Sequence, residues 1–278
     1  MLSPLRYPGG KADFVSTLDR ILRTAKLEGL PLIEPYAGSA AVTIGLLELG
    51  TVPTATILER DPLLFAFWVS VFERPEELLD RFFDLPMTLE TWHHLQPLLQ
   101  IDDPRTHDMV ELGVAGLFFN RANFSGILHS GPIGGALQQS KYKINCRANK
   151  GEIAARVAQI AELGRRVTVC FGNGLDLIRT HLSRKRVVYY VDPPYFVMGE
   201  RLYRYHFRHK DHKQLAMTLK KAKFPWVLSY DNNHVIEFLY EDCEVRKHAF
   251  AYSARSRKEH DELVIANFNL PEQLTSGI

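Results

Sequence analysis

Two hydrophobic periods alternate along this chain of 278 residues, and their order predicts its architecture. Short apolar or β-branched runs bounded by turn residues predict seven strands, at 31–35, 54–58, 167–171, 186–191, 225–229, 244–249 and 262–269. Helical periodicity fills most of the intervals, at 39–49, 62–72, 174–182, 211–222 and 233–240, with a further helix at 11–27 ahead of the first strand. Strands alternating with helices of this length predict crossover units on a mainly parallel sheet, that is, a doubly wound, Rossmann-like α/β fold of about seven strands. The alternation breaks once. Between 74 and 151 the pattern is helical (78–83, 88–99, 106–120) and then becomes a glycine-bearing loop, before a helix at 152–163 returns the chain to the sheet. The expected organisation is one α/β domain, 1–73 and 152–278, interrupted by a mainly helical insertion, 74–151.

Composition narrows the class. With 46% apolar and 24% charged residues the chain reads as an ordinary folded protein rather than a disordered or fibrous one. Apolar stretches such as 63–71 fall well short of the roughly 18 residues that would span a bilayer, and the first eleven residues lack an apolar signal core. A cytoplasmic protein without a membrane partner is expected. Cys146, Cys170 and Cys243 stand far apart, which suits reduced thiols rather than a disulfide framework or a zinc site. His206, His209 and His212 recur every third residue, but Arg204, Arg208, Lys210 and Lys213 surround them, so no metal is expected.

Charge is balanced overall, 34 basic against 32 acidic residues, but not along the chain. No Asp or Glu occurs from Leu112 to Gly151, where Arg121, Lys141, Lys143, Arg147 and Lys150 stand instead. A carboxylate beside a polyanion costs affinity, while each Lys or Arg on a phosphate releases a counterion, so this stretch suits nucleic acid. A loop that simply lacks acids would look the same. The small net charge argues against a scavenger of bulk nucleic acid and permits a basic groove on a neutral body.

Ligands of open α/β sheets bind beyond the carboxyl ends of the strands. After the first strand, Glu34-Pro35-Tyr36-Ala37-Gly38-Ser39-Ala40 offers a turn glycine and then small residues at a helix start, with Ser39 expected as the N-cap. Such a turn lets backbone approach a ligand, although a plain strand–helix turn has the same pattern. After the second strand comes Glu59-Arg60-Asp61, an acid about 20 residues past the glycine turn, which suits two ribose hydroxyls. Together they suggest an adenosine-containing cofactor. The apolar run 187–191 then delivers Asp192-Pro193-Pro194-Tyr195. The prolines disfavour helix and ladder alike, so the Asp192 carboxylate and the Pro193 carbonyl can be held as two fixed acceptors beside the Tyr195 ring. That constellation fits a planar heterocycle bearing an amino group.

These motifs, with the opening Tyr7-Pro8-Gly9-Gly10-Lys11, resemble the Dam-type adenine-specific DNA methyltransferases over nearly the whole chain. The order of cofactor motif, insertion and Asp-Pro-Pro-Tyr is similar, as are Asn120-Arg121-Ala122-Asn123-Phe124-Ser125-Gly126 and the late segment Lys258 to Leu263. The resemblance implies a catalytic domain carrying a target-recognition insertion, S-adenosylmethionine as cofactor, and methyl transfer to the 6-amino group of an adenine flipped from double-stranded DNA of specific sequence. It implies Asp192, Pro193 and Tyr195 as catalytic residues. It implies Tyr7, Lys11, Glu34, Pro35, Gly38, Ser39, Glu59, Asp192 and, in the adenine-side loop, Asp176 at the cofactor. Two departures stand out: Ala40 replaces the second glycine of the family's aromatic-x-Gly-x-Gly turn, and His129 stands where some GATC-reading members carry a basic residue. No target sequence is therefore implied.

For the insertion we expect Arg121, Lys141, Lys143 and Arg147 at phosphates, and Asn120, Phe124, Ser125 and His129 near bases. Phe124 is a candidate wedge and equally a core aromatic. Tyr203 and Tyr205, with Arg204 and Arg208, are expected to border the flipped base. A monomer on DNA is expected, with a cognate restriction endonuclease as a partner the resemblance allows. The rival readings are an RNA or protein-amide methyltransferase, which more often carries Asn at the position of Asp192, a nucleotide-dependent oxidoreductase, and a non-catalytic DNA-binding homologue.

Overall fold

The computed structural model describes residues 3–250 and 260–274, so Lys258 and Glu259 of the late motif lie outside the described residues. A 3-10 turn (Ala12–Phe14) runs into α1 (Val15–Thr24). Then follow β1 (Leu32–Glu34), α2 (Ala41–Glu48), β2 (Ala55–Glu59) and α3 (Pro62–Glu73). Four helices interrupt the alternation: α4 (Pro75–Asp84), α5 (Leu89–Leu95), α6 (Met109–Ala122) and α7 (Lys150–Ala161). It resumes with β3 (Val167–Phe171), α8 (Gly174–Thr180), β4 (Val188–Val191), a short α9 (Gly199–Leu202) and α10 (His209–Leu219). The chain closes with β5 (Trp226–Asp231), α11 (His234–Leu239), β6 (Glu244–Phe250) and β7 (His260–Ala266). Every strand falls where apolar, β-branched runs predict it.

The seven strands form one sheet in the order β3-β2-β1-β4-β5-β7-β6. The first five are parallel, and β7 is inserted antiparallel between β5 and β6. The chain winds outward from β1 to β3, then crosses back to lay β4 on the other side of β1. That reversal opens a crevice at the carboxyl ends of β1 and β4, where such sheets bind ligands. Glu34 ends β1, and Asp192 follows β4 directly.

Helices bury one face on each side of the sheet, and the helices between residues 74 and 122 share that packing. Leu78, Phe82, Val114 and Phe118 belong to the same apolar cluster as Ile57, Phe67 and Trp68. Two glycines allow α6 to press on α3: a Cβ at Gly116 would stand 2.7 Å from the Leu63 carbonyl oxygen, and one at Gly113 would stand 2.8 Å from Ser70 Oγ. The helical part of 74–151 is thus rooted in the core of the sheet. Its mostly exposed part is the loop from 123 to 149.

The helix after β1 starts later than expected. Ala40, not Ser39, precedes α2, in a left-handed conformation (φ 48°) and without a side-chain cap. The chain turns so tightly at Gly38 (φ 48°) that the Ala40 N–H bonds back to the Ala37 carbonyl at 2.6 Å. A glycine would take the Ala40 conformation without the roughly 1–2 kcal/mol that Cβ crowding costs an L residue there. The family-like turn therefore forms even with its second glycine replaced.

Candidate active site

Strand β4 is buried along its whole length and carries Asp192 to the floor of a cleft of about 1120 Å³, counted out to its open mouth. The Asp192 Oδ1 atom accepts a hydrogen bond from Ser229 Oγ at 2.7 Å and pairs with Lys11 Nζ at 3.2 Å. Lys11 is only 3% exposed. Its ammonium also donates to the Gly9 carbonyl (2.8 Å) and the Tyr195 hydroxyl (2.9 Å), and lies 3.3 Å from Glu262 Oε2. The Tyr195 hydroxyl in turn donates to Glu262 Oε1 at 2.9 Å. One cation thus ties the N-terminal segment, the end of β4 and strand β7 together. Burial alone would push the Lys11 pKa down, but Asp192 and Glu262 reverse the effect and hold it above the usual lysine value. Burial raises both carboxyls above their ordinary range, and Lys11 partly offsets that.

At the end of β2 the Glu59 carboxylate is pinned by backbone. Its Oε1 accepts from Arg60 N (2.8 Å) and Asp61 N (3.0 Å), and its Oε2 accepts from Gly38 N (3.0 Å). Burial still lifts it to about 7. Asp61 caps α3 through Leu63 N at 3.0 Å, with Pro62 pre-set in the first turn. The glycine turn is held from behind as well, since Trp68 Nε1 donates to the Gly38 carbonyl at 2.9 Å.

Glu34 accepts from the Thr43 N–H at 3.2 Å and from the Thr43 hydroxyl. Burial pushes its carboxyl up to about 8, and Thr43 only partly resists. A carboxyl that holds its proton more tightly when folded stabilises the fold fully below its unfolded pKa of about 4.3. That stabilisation is lost as pH rises through about 8. Glu34→Gln stays neutral, so its ligand-free stability should vary less between pH 5 and 9, and above pH 8 it should exceed the parent's by roughly 2 kcal/mol. Urea melts at pH 5, 7 and 9 check this. Parallel pH profiles for the two proteins would contradict it.

Of the residues expected at a cofactor, Tyr7, Lys11, Glu34, Pro35, Gly38, Ser39, Glu59 and Asp192 all line this one cleft. Asp176 does not. It sits in the first turn of α8 and pairs with Arg179 at 2.9 Å, while Asn173 and Gly174 at the start of that helix line the cleft instead. Pro194 lines the cleft and Pro193 is buried beneath it. The Tyr195 ring, expected as a stacking face, is absent from the lining, and its hydroxyl points inward onto Lys11 and Glu262. Gly9 makes room for it, since a Cβ there would lie 2.1 Å from the Tyr195 oxygen. Tyr7 and Tyr203, with ring centroids 6.0 Å apart, are the aromatic faces bordering the cleft near Asp192.

The expected DNA-facing residues divide. His129 lines the cleft, 3.5 Å from Asp61 Oδ2, and Tyr205 lines it with its ring between the Arg60 and Arg204 guanidinium groups (4.6 and 5.0 Å). Phe124 is 54% exposed, so the core reading of this aromatic does not hold. Ser125, Lys141, Lys143 and Arg147 are also exposed on the loop. Asn120 and Arg121 are buried, against expectation. Asn120 pairs with the backbone of Arg6, 114 residues away, through Oδ1 (2.8 Å) and Nδ2 (2.7 Å), and Arg121 donates to the Pro4 carbonyl. Both fasten the N-terminal segment to α6, which removes them from a phosphate or base surface. Ser229, Trp68, Tyr36 and Phe207 were not singled out in the sequence. Ser229 closes the apolar run expected at 225–229, although β5 itself runs on to Asp231; the others look like ordinary core aromatics.

The buried Glu34, Glu59 and Asp61 and the partly exposed Asp192 line this cleft together with Lys11, Arg60 and Arg204, and Lys11 is held between Asp192 and Glu262. Burial raises the Glu34 and Glu59 carboxyls, and a positively charged ligand beside them would favour their ionised forms. S-adenosylmethionine, with its ammonium and sulfonium groups and ribose diol, fits these residues. Among the described residues no helix is long and apolar enough to cross a membrane, and no cluster of His, Cys, Asp and Glu is placed to hold a metal ion.

Compared with known families, residues 7–258 match the D12 class N6 adenine-specific DNA methyltransferases. No curated protein matches the chain. Among solved structures it is similar to the yhhF protein of Escherichia coli, at 11% identity and a TM-score of 0.41 over 95% of this chain and 90% of that one. It is also similar to an S-adenosylmethionine-dependent methyltransferase of Neisseria gonorrhoeae, at 12% identity and a TM-score of 0.38 over 96% and 74%. Likenesses this distant carry no argument about this chain. The architecture rests on the strand order itself.

Proposed function

The chain belongs to the D12 class of S-adenosylmethionine-dependent N6 adenine-specific DNA methyltransferases, and from that premise we propose which residues carry the transfer. The acceptor is the 6-amino group of adenine, a poor nucleophile because its lone pair is shared with the ring. Asp192 and the Pro193 carbonyl accept its two hydrogens, push density back onto nitrogen and stabilise the positive charge that develops there. S-adenosylmethionine, when bound, supplies an electrophilic methyl on sulfur. Bound there it would give up its methyl as the N–CH₃ bond forms and the S–CH₃ bond breaks, leaving S-adenosylhomocysteine, and the amino nitrogen would pass one proton to the Asp192 carboxylate or to solvent. Glu59 binds the ribose hydroxyls, Glu34 and Gly38 border the methionine end, and Lys11 holds Asp192 in place. Arg60, Tyr205 and Arg204 cover the cleft from outside. The single observation that carries this reading is the Asp192 carboxylate, fixed by Ser229 and Lys11 in the cleft that the other cofactor-side residues line.

The target atom is hidden in a duplex, so the base must leave the stack, at a cost of a few kcal/mol. Stacking on a cleft-facing tyrosine returns about 1–3 kcal/mol, and Tyr203 is better placed for it than Tyr195. Phe124, exposed on a loop free of acids, is the wedge that fills the gap. Lys141, Lys143 and Arg147 contact phosphates on either side. Reversing both charges, Lys141→Glu with Lys143→Glu, should weaken DNA binding and reduce the slope of log K against log salt by about 2. A salt titration of duplex affinity reads this, and an unchanged slope would remove both lysines from the interface.

Transfer of a labelled methyl group to duplex DNA, followed by sequencing that identifies the modified base and its context, tests the reading as a whole. N6-methyladenine in a recurrent motif is the expected product. Label in RNA or protein, with none in DNA, would refute it.

A further inference from the structure

Asp192 lines the cleft with its side chain 21% exposed, and as the acceptor it has to stay ionised and present an oxygen to the cleft. Ser229, on β5 and fully buried, donates to Asp192 Oδ1 at 2.7 Å, and its oxygen lies 2.8 Å from the Tyr190 hydroxyl on β4. A serine has one hydroxyl hydrogen and an ionised carboxylate only accepts. Ser229 therefore spends its hydrogen on Asp192, and Tyr190 must be the donor to Ser229. The order Tyr190 to Ser229 to Asp192 follows without choice. Lys11 approaches the same oxygen at 3.2 Å. Among the described residues, both polar contacts of Asp192 thus end on Oδ1 and leave Oδ2 as the oxygen for the cleft.

We propose that Ser229, backed by Tyr190, is a positioning residue for methyl transfer, fixing the rotation of the Asp192 carboxylate so that Oδ2 receives the amino group. The inference rests on the reading of Asp192 as the acceptor. Ser229 does not line the cleft and touches no substrate; it acts only through Asp192. Burial raises the Asp192 carboxyl, and Lys11 and Ser229 work against that. The charged and titratable groups around it are Tyr7 and Lys11 from the N-terminal segment, Glu34 at the end of β1, Tyr190 on β4, Tyr195 and Tyr203 after it, Tyr230 on β5 and Glu262 on β7. The tyrosines are held protonated by burial, so Ser229 and Lys11 are what favours the ionised Asp192.

Single-turnover methylation of duplex DNA at saturating S-adenosylmethionine, measured from pH 5.5 to 9, tests the proposal. Ser229→Ala should slow the step about ten- to a hundredfold, the worth of one hydrogen bond to a charged group. It should also move the acid limb of the profile to higher pH, because the ionised carboxylate has lost a donor. Tyr190→Phe keeps the buried ring and should shift the limb the same way by less. Calorimetric affinity for S-adenosylmethionine should stay within about twofold in both variants. An acid limb that stays in place, or a rate lost only in proportion to cofactor affinity, would overturn the positioning role. Asp192→Asn in the same assay separates the two levels. If it abolishes transfer while Ser229→Ala changes nothing, this inference alone fails; if it retains transfer, the assignment of Asp192 fails first.

Discussion

Asp192→Asn is expected to lower the single-turnover methylation rate about 10²- to 10³-fold while leaving the affinity for S-adenosylmethionine within a few-fold of the parent. The substitution is nearly isosteric, so the cleft keeps its shape. What changes is the sign of the chemistry. Ser229 and Lys11 both address Oδ1, so they will orient the new amide with its oxygen toward themselves. The NH₂ group is then aimed into the cleft, where an amino group needs an acceptor. Donor faces donor, and no negative charge remains to balance the positive charge growing on the adenine nitrogen. An interaction made mainly in the transition state lowers kcat and kcat/KM together. Rapid-quench measurement with both ligands saturating checks this, and a loss confined to KM would show that Asp192 only helps to bind.

Much of this site can be read without coordinates, because the residues that bear it sit where strands end. Glu34, Glu59 and Asp192 each close an apolar run, and a parallel sheet necessarily gathers such ends along one edge. What cannot be read is pairing across the fold. Asn120 and Arg121 look like a polar surface on a basic, acid-free stretch, yet they clamp the backbone of Arg6 and Pro4, more than a hundred positions earlier. Nothing local to residues 112–151 encodes that. Tyr195 shows the same limit at shorter range: its neighbours predict an aromatic beside two acceptors, but the direction of the ring is set by Lys11 and by Glu262 on the antiparallel β7. Asp176 was a matter of phase. Asp176 lies two residues past Gly174, about 200° around the helix, and that rotation carries it from the cleft to a pair with Arg179. The expected Ser39 cap does not form because the turn spends two left-handed residues, Gly38 and Ala40, before the helix begins.

Lys11→Met should be the most destabilising change in the cleft, by about 3–5 kcal/mol near neutral pH, since it leaves buried carboxylates without their shared cation. The size of the loss should itself depend on pH, and the direction is fixed by the groups left behind. In the parent, Lys11 is charged both folded and unfolded across the physiological range, and its raised pKa matters only above the ordinary lysine value. In the variant, Asp192 and Glu262 keep Ser229 and Tyr195 as donors but lose the ammonium that opposes their burial. Their folded pKa values, already above the ordinary carboxyl range, rise further. Groups that hold protons more tightly when folded contribute stability at low pH and lose it as pH climbs through the folded pKa. The deficit of Lys11→Met should therefore be small near pH 5 and grow steadily toward pH 9. The same protonation neutralises the acceptor, so residual methylation should appear only on the alkaline side, where the protein is least stable. Denaturation midpoints and single-turnover rates across that range, taken on one preparation, test both halves. A deficit equal at every pH would mean that Lys11 serves the fold by packing alone, and that the charge of Asp192 is held by something other than this lysine.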